Sequence, residues 1–236
     1  MKKSFVIVLV RPRDPNNIGA AARAMANFGL SELRVVEPFL PSWQIAVSAV
    51  GAQDILQNAK LFSSLPQALS DCDLTIATTA LKNRQLNEQI VALPQLPTWI
   101  EQYNAEKIAL VFGNEKTGLC NEDIELCTAA MHIPTTAKQP SVNLAQAVIL
   151  TCYELARANS DQTLRGPKLP TFQQTELVID SLERLMTQAN FKQDFSCEQR
   201  KILVRTLFHK TRLSGNDLFF IKKLADQLVA TLQKNS

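Results

Sequence analysis

Glycine is scarce in this chain. Seven occur among 236 residues, at 19, 29, 51, 113, 118, 166 and 215, and no two are separated by a single residue. The dinucleotide fingerprint G-x-G-x-x-G, and any glycine-rich strand-to-helix turn of that pattern, is therefore excluded. Gly113-Asn-Glu-Lys-Thr-Gly118 has the spacing of a phosphate-binding loop, but Leu119-Cys120 stand where Lys and Ser/Thr are required. Without the lysine that reaches the terminal phosphates, nucleotide triphosphatase chemistry is excluded too. Histidine is scarcer still, at 132 and 209 only, which leaves no H-E-x-x-H and no zinc cluster. Five scattered cysteines (72, 120, 127, 152, 197) contain no C-x-x-C pair, so a disulfide framework is not expected. No apolar run approaches the roughly 20 residues of a membrane span. The short run Phe5–Val10 meets Arg11 and Arg13 at once, and reads as a first strand rather than a secretory signal. These absences point to a soluble cytoplasmic protein with no metal and no membrane partner.

What is present is an ordinary globular composition, 46% hydrophobic and 20% charged, enough for a packed core. The net charge of +3 hides an asymmetry: residues 1–160 hold 13 Lys/Arg against 14 Asp/Glu, whereas residues 161–236 hold 12 against 8. A basic C-terminal third on a neutral body is a weak pointer to an anionic partner. Phe5–Val10, Leu33–Val36, Leu74–Thr78, Ile108–Phe112 and Met131–Ile133 read as strands. Ile18–Leu30, Ser42–Gly51, Leu65–Ser70, Thr98–Tyr103 and about Val142–Ala158 read as helices. Strands alternating with helices predict an α/β fold, a mostly parallel sheet with helices on both faces, over residues 1–158. Residues 159–171 are polar and rich in breakers, a linker. Residues 172–236 carry three amphipathic helical patterns, a small C-terminal helical domain with a marginal core of its own.

In parallel α/β sheets ligands bind beyond the carboxyl ends of the strands. Three polar segments follow strands in that way: Asp14–Arg23, Phe112–Leu119 and Ile133–Asn143. Each residue has a plain structural use. Asn16 or Asn17 can cap the first helix, Gly113 and Gly118 can serve a turn, and Ser141 can cap the long helix. Arg23 lies about one and a half helical turns past the cap, close enough for its head to return over the strand ends.

Taken together, these segments resemble a known family. N-x-G-x-x-x-R (Asn17, Gly19, Arg23), F-G-x-E-x-x-G-L (Phe112 to Leu119) and I-P…S-V-N-L-A-x-A (Ile133 to Ala147) are similar to the three motifs of the SPOUT-class RNA methyltransferases, TrmH-like branch. The resemblance covers about residues 5–158, and the helical tail resembles that of the TrmJ type of tRNA ribose methyltransferase. It implies a C-terminal trefoil knot in the sheet domain, a homodimer, and S-adenosylmethionine as cofactor. The implied reaction is methyl transfer to a ribose 2′-hydroxyl of tRNA, at cytidine or uridine of position 32 at the start of the anticodon loop; the alternatives are another tRNA position, rRNA, or a catalytically dead RNA-binding module on the same scaffold. By resemblance Arg23 and Ser141 are catalytic, with Asn17 and Glu115 supporting them. The cofactor contacts carried over are Thr78, Thr79, Ala80, Gly113, Ile133, Pro140, Ser141 and Val142. Arginine stays protonated in nearly any protein setting, so Arg23 is expected to grip a phosphate or the 2′-oxygen and stabilise developing charge. In the tail, residues 200–223 hold seven bases against one acid, Asp217. Arg200, Lys201, Arg205, Lys210 and Arg212 are the expected RNA contacts, against the plainer reading of a solvated helical face.

Overall fold

The computed structural model describes residues 3–48, 52–80, 89–136, 138–158, 169–211 and 213–234. Its first strand, β1 (Ser4–Val10), follows directly from the apolar run: from Val6 to Val10 no residue exceeds 1% exposure. Ile7 and Leu9 face one layer of helices, and Val6, Val8 and Val10 face the other. Helix α1 (Pro15–Asn27) starts on a proline, whose missing N–H costs nothing there. Its cap is Asp14, which accepts from the Asn16 N–H at 2.9 Å, so neither Asn16 nor Asn17 is the capping residue. Gly29, at φ +72°, turns the chain out of the helix into β2 (Glu32–Val36).

The chain continues through α2 (Leu40–Ser48), α3 (Gln53–Gln57), β3 (Lys60–Phe62), α4 (Leu65–Leu69), β4 (Leu74–Thr78) and β5 (Gln89–Ala92). Then come α5 (Leu96–Glu101), β6 (Lys107–Phe112), α6 (Asn121–Glu125), β7 (Ala129–His132) and α7 (Leu144–Arg157). The seven strands lie in the order β3-β2-β1-β6-β4-β7-β5, and every pairing is parallel. Expected α/β architecture and observed sheet agree. Two strands and two helices, β3, β5, α3 and α6, were not anticipated: at three to five residues each they are too short for a periodic signal. The long helix also starts later than expected, at Leu144. Its cap is Asn143, whose Oδ1 accepts from Ala145 and Gln146, and not Ser141.

From β1 the next strands run outward on one side, while β6, β4, β7 and β5 fill the other. The carboxyl ends of β1 and β6 therefore meet at a topological switch point. One core layer packs α1, α5 and α7 on the sheet; the second packs α4, α6 and Phe172 on its opposite face. The tail forms α8 (Phe172–Gln188), α9 (Cys197–Lys210) and α10 (Gly215–Lys234) around Val178, Ile179, Val204, Phe208 and Leu218. It is fastened to the sheet domain where the Phe172 N–H donates to the Cys72 carbonyl at 3.0 Å. Most of the expected linker, residues 159–168, lies outside the described residues, and Thr171 is already the cap of α8.

Candidate active site

At the carboxyl end of β6 the backbone folds back on itself. A Cβ on Gly113 would stand 2.1 Å from the Gly118 carbonyl carbon, so only glycine permits that approach. Gly118, at φ +69°, completes the turn, and its N–H donates to the Asn114 carbonyl at 3.0 Å. The Asn114 Oδ1 accepts from the N–H groups of Lys116 at 3.0 Å and Thr117 at 2.9 Å, an Asx arrangement that holds the loop in one shape. After β7 the chain loops over the same opening, and Thr135 Oγ1 donates to the Pro140 carbonyl at 3.1 Å. After β4, Thr78 Oγ1 donates to the Val111 carbonyl and the Thr79 N–H to the Met131 carbonyl, tying three strand ends together.

These loops enclose a cavity of about 310 Å³. All eight residues expected at a cofactor, Thr78, Thr79, Ala80, Gly113, Ile133, Pro140, Ser141 and Val142, line it. Phe112, Leu119, Met131, Leu144 and Ala147 supply apolar wall, and Asn114 to Gly118 supply the polar rim. The volume is at the small end of ligand pockets, and the mixed lining suits an amphipathic small molecule.

Glu115 lines the cavity, and its carboxylate is already engaged. It accepts from the Arg13 N–H at 3.1 Å, the Asp14 N–H at 3.0 Å and Asn17 Nδ2 at 3.3 Å. Asn17 Oδ1 in turn accepts from Asn143 Nδ2 at 2.9 Å. Glu115, Asn17 and Asn143 thus join the loops after β1, β6 and β7 in one network. Hydrogen bonds to a charged acceptor are the stronger kind, so Glu115 acts as a fastener rather than a free base. Asn143 went unassigned in the sequence reading, although it sits inside the third motif and directly before an apolar helix, the position a cap occupies. Arg11, at φ +50°, is a second omission. Its guanidinium pairs with Asp123 and, at 3.3 Å, with Glu37, anchoring the loop after β1 to α6.

Arg23 stands on α1. It projects from the exposed face of α1, outside the lining of this cavity, and pairs with no acid among the described residues. Ala21, Ala22, Ala24 and Met25 take the buried face of that helix and turn residue 23 outward. Ser141 is exposed at the rim.

Three of the five bases named in the tail are ion-paired within it. Arg200 pairs with Glu183 at 2.7 Å and also donates to the Phe195 carbonyl at 2.6 Å. Lys201 pairs with Asp180 at 2.7 Å, and Arg205, 7% exposed, grips Glu176 through two bonds of 3.0 and 2.9 Å. Three of the five expected phosphate contacts are therefore used to bind α9 to α8. Lys210 is exposed, and Arg212 lies outside the described residues. Counting charge over residues 200–223 left out Glu176, Asp180 and Glu183, which form a stripe on α8 at helical spacing.

No group of three or more His, Cys, Asp or Glu arranged to hold a metal occurs among the described residues. Residues 4–153 match the model of the SpoU rRNA Methylase family. A tRNA (cytidine/uridine-2'-O-)-methyltransferase TrmJ of Pectobacterium atrosepticum is 32% identical over 240 residues, 98% of this chain and 99% of that protein. An uncharacterized tRNA/rRNA methyltransferase of Haemophilus influenzae is 32% identical over 225 residues, 92% of this chain and 91% of the relative. The crystal structure of TrmJ from Z. mobilis superposes with a TM-score of 0.79 at 30% identity, covering 94% of this chain and 98% of that one. The parallel sheet, the cavity at the carboxyl ends of β4, β6 and β7 and these similarities agree: the chain belongs to the SpoU rRNA methylase family.

Proposed function

We propose that this protein transfers a methyl group from S-adenosylmethionine to a ribose 2′-hydroxyl of tRNA, at cytidine or uridine of position 32. The observation that carries the reading is the cavity at the carboxyl ends of β4, β6 and β7, beside which Glu115, Asn17 and Asn143 lock the loops after β1, β6 and β7 together. Its residues fit the cofactor: the close Gly113–Gly118 approach fixes the loop that forms the polar rim, and Phe112, Leu119, Met131, Leu144 and Ala147 give apolar wall opposite it. When bound, the cofactor supplies an already activated methyl group. The chain's task is then to align the hydroxyl oxygen, assist loss of its proton and hold the loops still. Ser141 at the rim stands where it can orient the hydroxyl, and Thr78, Thr79, Ala80, Ile133, Pro140 and Val142 form the cradle.

The homodimer belongs to the same proposal. Ile149, Leu150 and Tyr153 leave an apolar face of α7 exposed, and Phe28 at the end of α1 packs edge-on to Tyr153 at 6.0 Å. A two-fold contact there would cover that face and carry Arg23 of one subunit toward the cavity of the other, accounting for an arginine that misses its own. A trefoil knot, the division into residues 1–158, 159–171 and 172–236, and a cytoplasmic location complete the reading. Supporting the division is the tail's separate core. No described helix is long and apolar enough to cross a membrane.

The test is incubation with bulk tRNA and radiolabelled S-adenosylmethionine, followed by nuclease mapping and mass spectrometry. Ribose methylation at position 32 is expected; methylation of bases, or of no RNA, would overturn the reading. Arg23→Ala should abolish turnover with cofactor affinity unchanged, and equal loss of both would remove Arg23 from the reaction.

A further inference from the structure

With Arg200, Lys201 and Arg205 committed to α8, the outward chemistry of the tail lies on α10. Phe219 and Phe220 are 61% and 67% exposed, more than any other large apolar side chain among the described residues. Leu218 and Ala225 hold the opposite side of the helix against the tail core, so this exposure is built in by the helical phase. Lys223 follows one turn after Phe219, with its Nζ 4.7 Å from that ring's centroid. At 3.6 residues per turn Lys223 projects between the two phenylalanines, about 40° from one and about 60° from the other. Neighbouring Lys222 is paired with Asp226 at 2.6 Å, but no ion pair joins Lys223 to an acid among the described residues.

Single exposed apolar side chains need no explanation, but two rings flanking an unpaired ammonium form a patch with a definite chemistry. A second copy of the same face would bring two Lys223 ammonium groups into one interface. Burying that ammonium without a counter-charge would be costly. Unpaired RNA offers the complement: flat bases that stack on aromatic rings whatever their sequence, and phosphates that neutralise the lysine. We propose that Phe219, Lys223 and Phe220 form a stacking platform for unpaired nucleotides of RNA, with Lys223 holding the phosphate between two stacked bases. The proposal rests on the reading of this protein as an RNA methyltransferase only for the identity of the RNA.

The test uses the full chain and two labelled RNAs, a hairpin with an unpaired loop and a fully paired duplex of equal length, titrated by fluorescence anisotropy. Phe219→Ala/Phe220→Ala and Phe219→Leu/Phe220→Leu should each weaken hairpin binding by roughly tenfold or more while sparing the duplex. Phe219→Trp, which keeps an aromatic face, should bind the hairpin at least as well as the unaltered protein. Lys223→Ala should lower the salt slope of hairpin binding by about one. Because α10 presents these residues to solvent, cofactor affinity and the thermal midpoint should not change. A leucine pair that binds the hairpin normally would overturn the proposal, since apolar area rather than a ring would then suffice. A fall in sedimentation coefficient for the alanine pair, without loss of RNA affinity, would overturn it in favour of a second copy docking there. If the unaltered protein methylates no RNA yet selects the hairpin through its phenylalanines, the platform stands and the function fails. Methylation with hairpin affinity indifferent to the phenylalanines refutes the platform alone.

Discussion

The two edges of the sheet are built from opposite chemistry. At the amino edge, charges are closed on one another. Arg34, 2% exposed, donates to the Ala68 carbonyl at 2.5 Å, to Asp71 at 2.6 Å and to Glu32 at 2.5 Å. Lys107 adds a bond of 2.8 Å to Asp71, and the hydrogen bond from Arg34 first of all holds that carboxyl well below the usual carboxylate range. At the carboxyl edge Glu115, three asparagines (17, 114 and 143), a glycine approach and the Arg11 pairs hold the loops from outside, and a cavity is left open. A cluster with all its partners in place stabilises the sheet and has nothing left to offer a ligand. Loops fastened from behind, by Glu115 on the amides of Arg13 and Asp14, leave their other faces for binding.

The largest effect expected from breaking this contrast lies at the amino edge. Arg34→Met removes the buried guanidinium at the centre of this cluster, leaving Asp71 and Glu32 to Lys107, and should cost about 3 kcal/mol of unfolding free energy in urea titration. Cofactor affinity of the folded protein should be unchanged; a parallel loss of affinity would mean the edges are not independent. Next is Gly113→Ala, whose added methyl forces the loop off Gly118. About 2 kcal/mol of stability should be lost, and cofactor binding by calorimetry should disappear, although the amino edge is intact. Asn143→Ala removes both a helix cap and the link to Asn17, for a loss of about 1 kcal/mol and a larger fall in kcat than in cofactor affinity. Equal falls would show that the network serves the cofactor alone.

At neutral pH the effect that does not show at all is a pH dependence that belongs to neither edge. His209, at the seam between tail and sheet domain, is held neutral: burial first, and Arg205 second, push its pKa down to about 4. The unfolded chain takes up that proton near pH 6.5, so the stability at stake is full above about 6.5 and is lost as pH falls toward 4. His209→Gln should flatten the fall of the thermal midpoint over that range, measured by thermal melts from pH 7 to pH 4. Asp71, depressed in the folded state, keeps its contribution throughout that window and gives it up only below the ordinary carboxylate pKa.

Much of this was legible from residue order. β1 and β6 announced themselves because strands buried on both faces need unbroken apolar runs. The motif loops stood out because glycine and asparagine at fixed offsets have narrow backbone uses. Less legible was anything depending on partners distant in the chain. Asn143 was passed over for Ser141 as a cap, since the proline at 140 suggested an earlier helix start. Arg200, Lys201 and Arg205 looked like a phosphate surface because their acids lie on a different helix.

The sequence by itself determined an α/β sheet domain, a helical tail and the residues of three loops, since periodicity and turn chemistry are local properties. Tertiary structure decided which charges are free. Arg23 was turned away from the cavity by the alanines that bury its helix, and the α9 bases were taken by α8. Phe219 and Phe220 were left in solvent because Leu218 and Ala225 face the tail core. An ion pair forms between side chains that folding brings together, and no window of consecutive residues contains that distance.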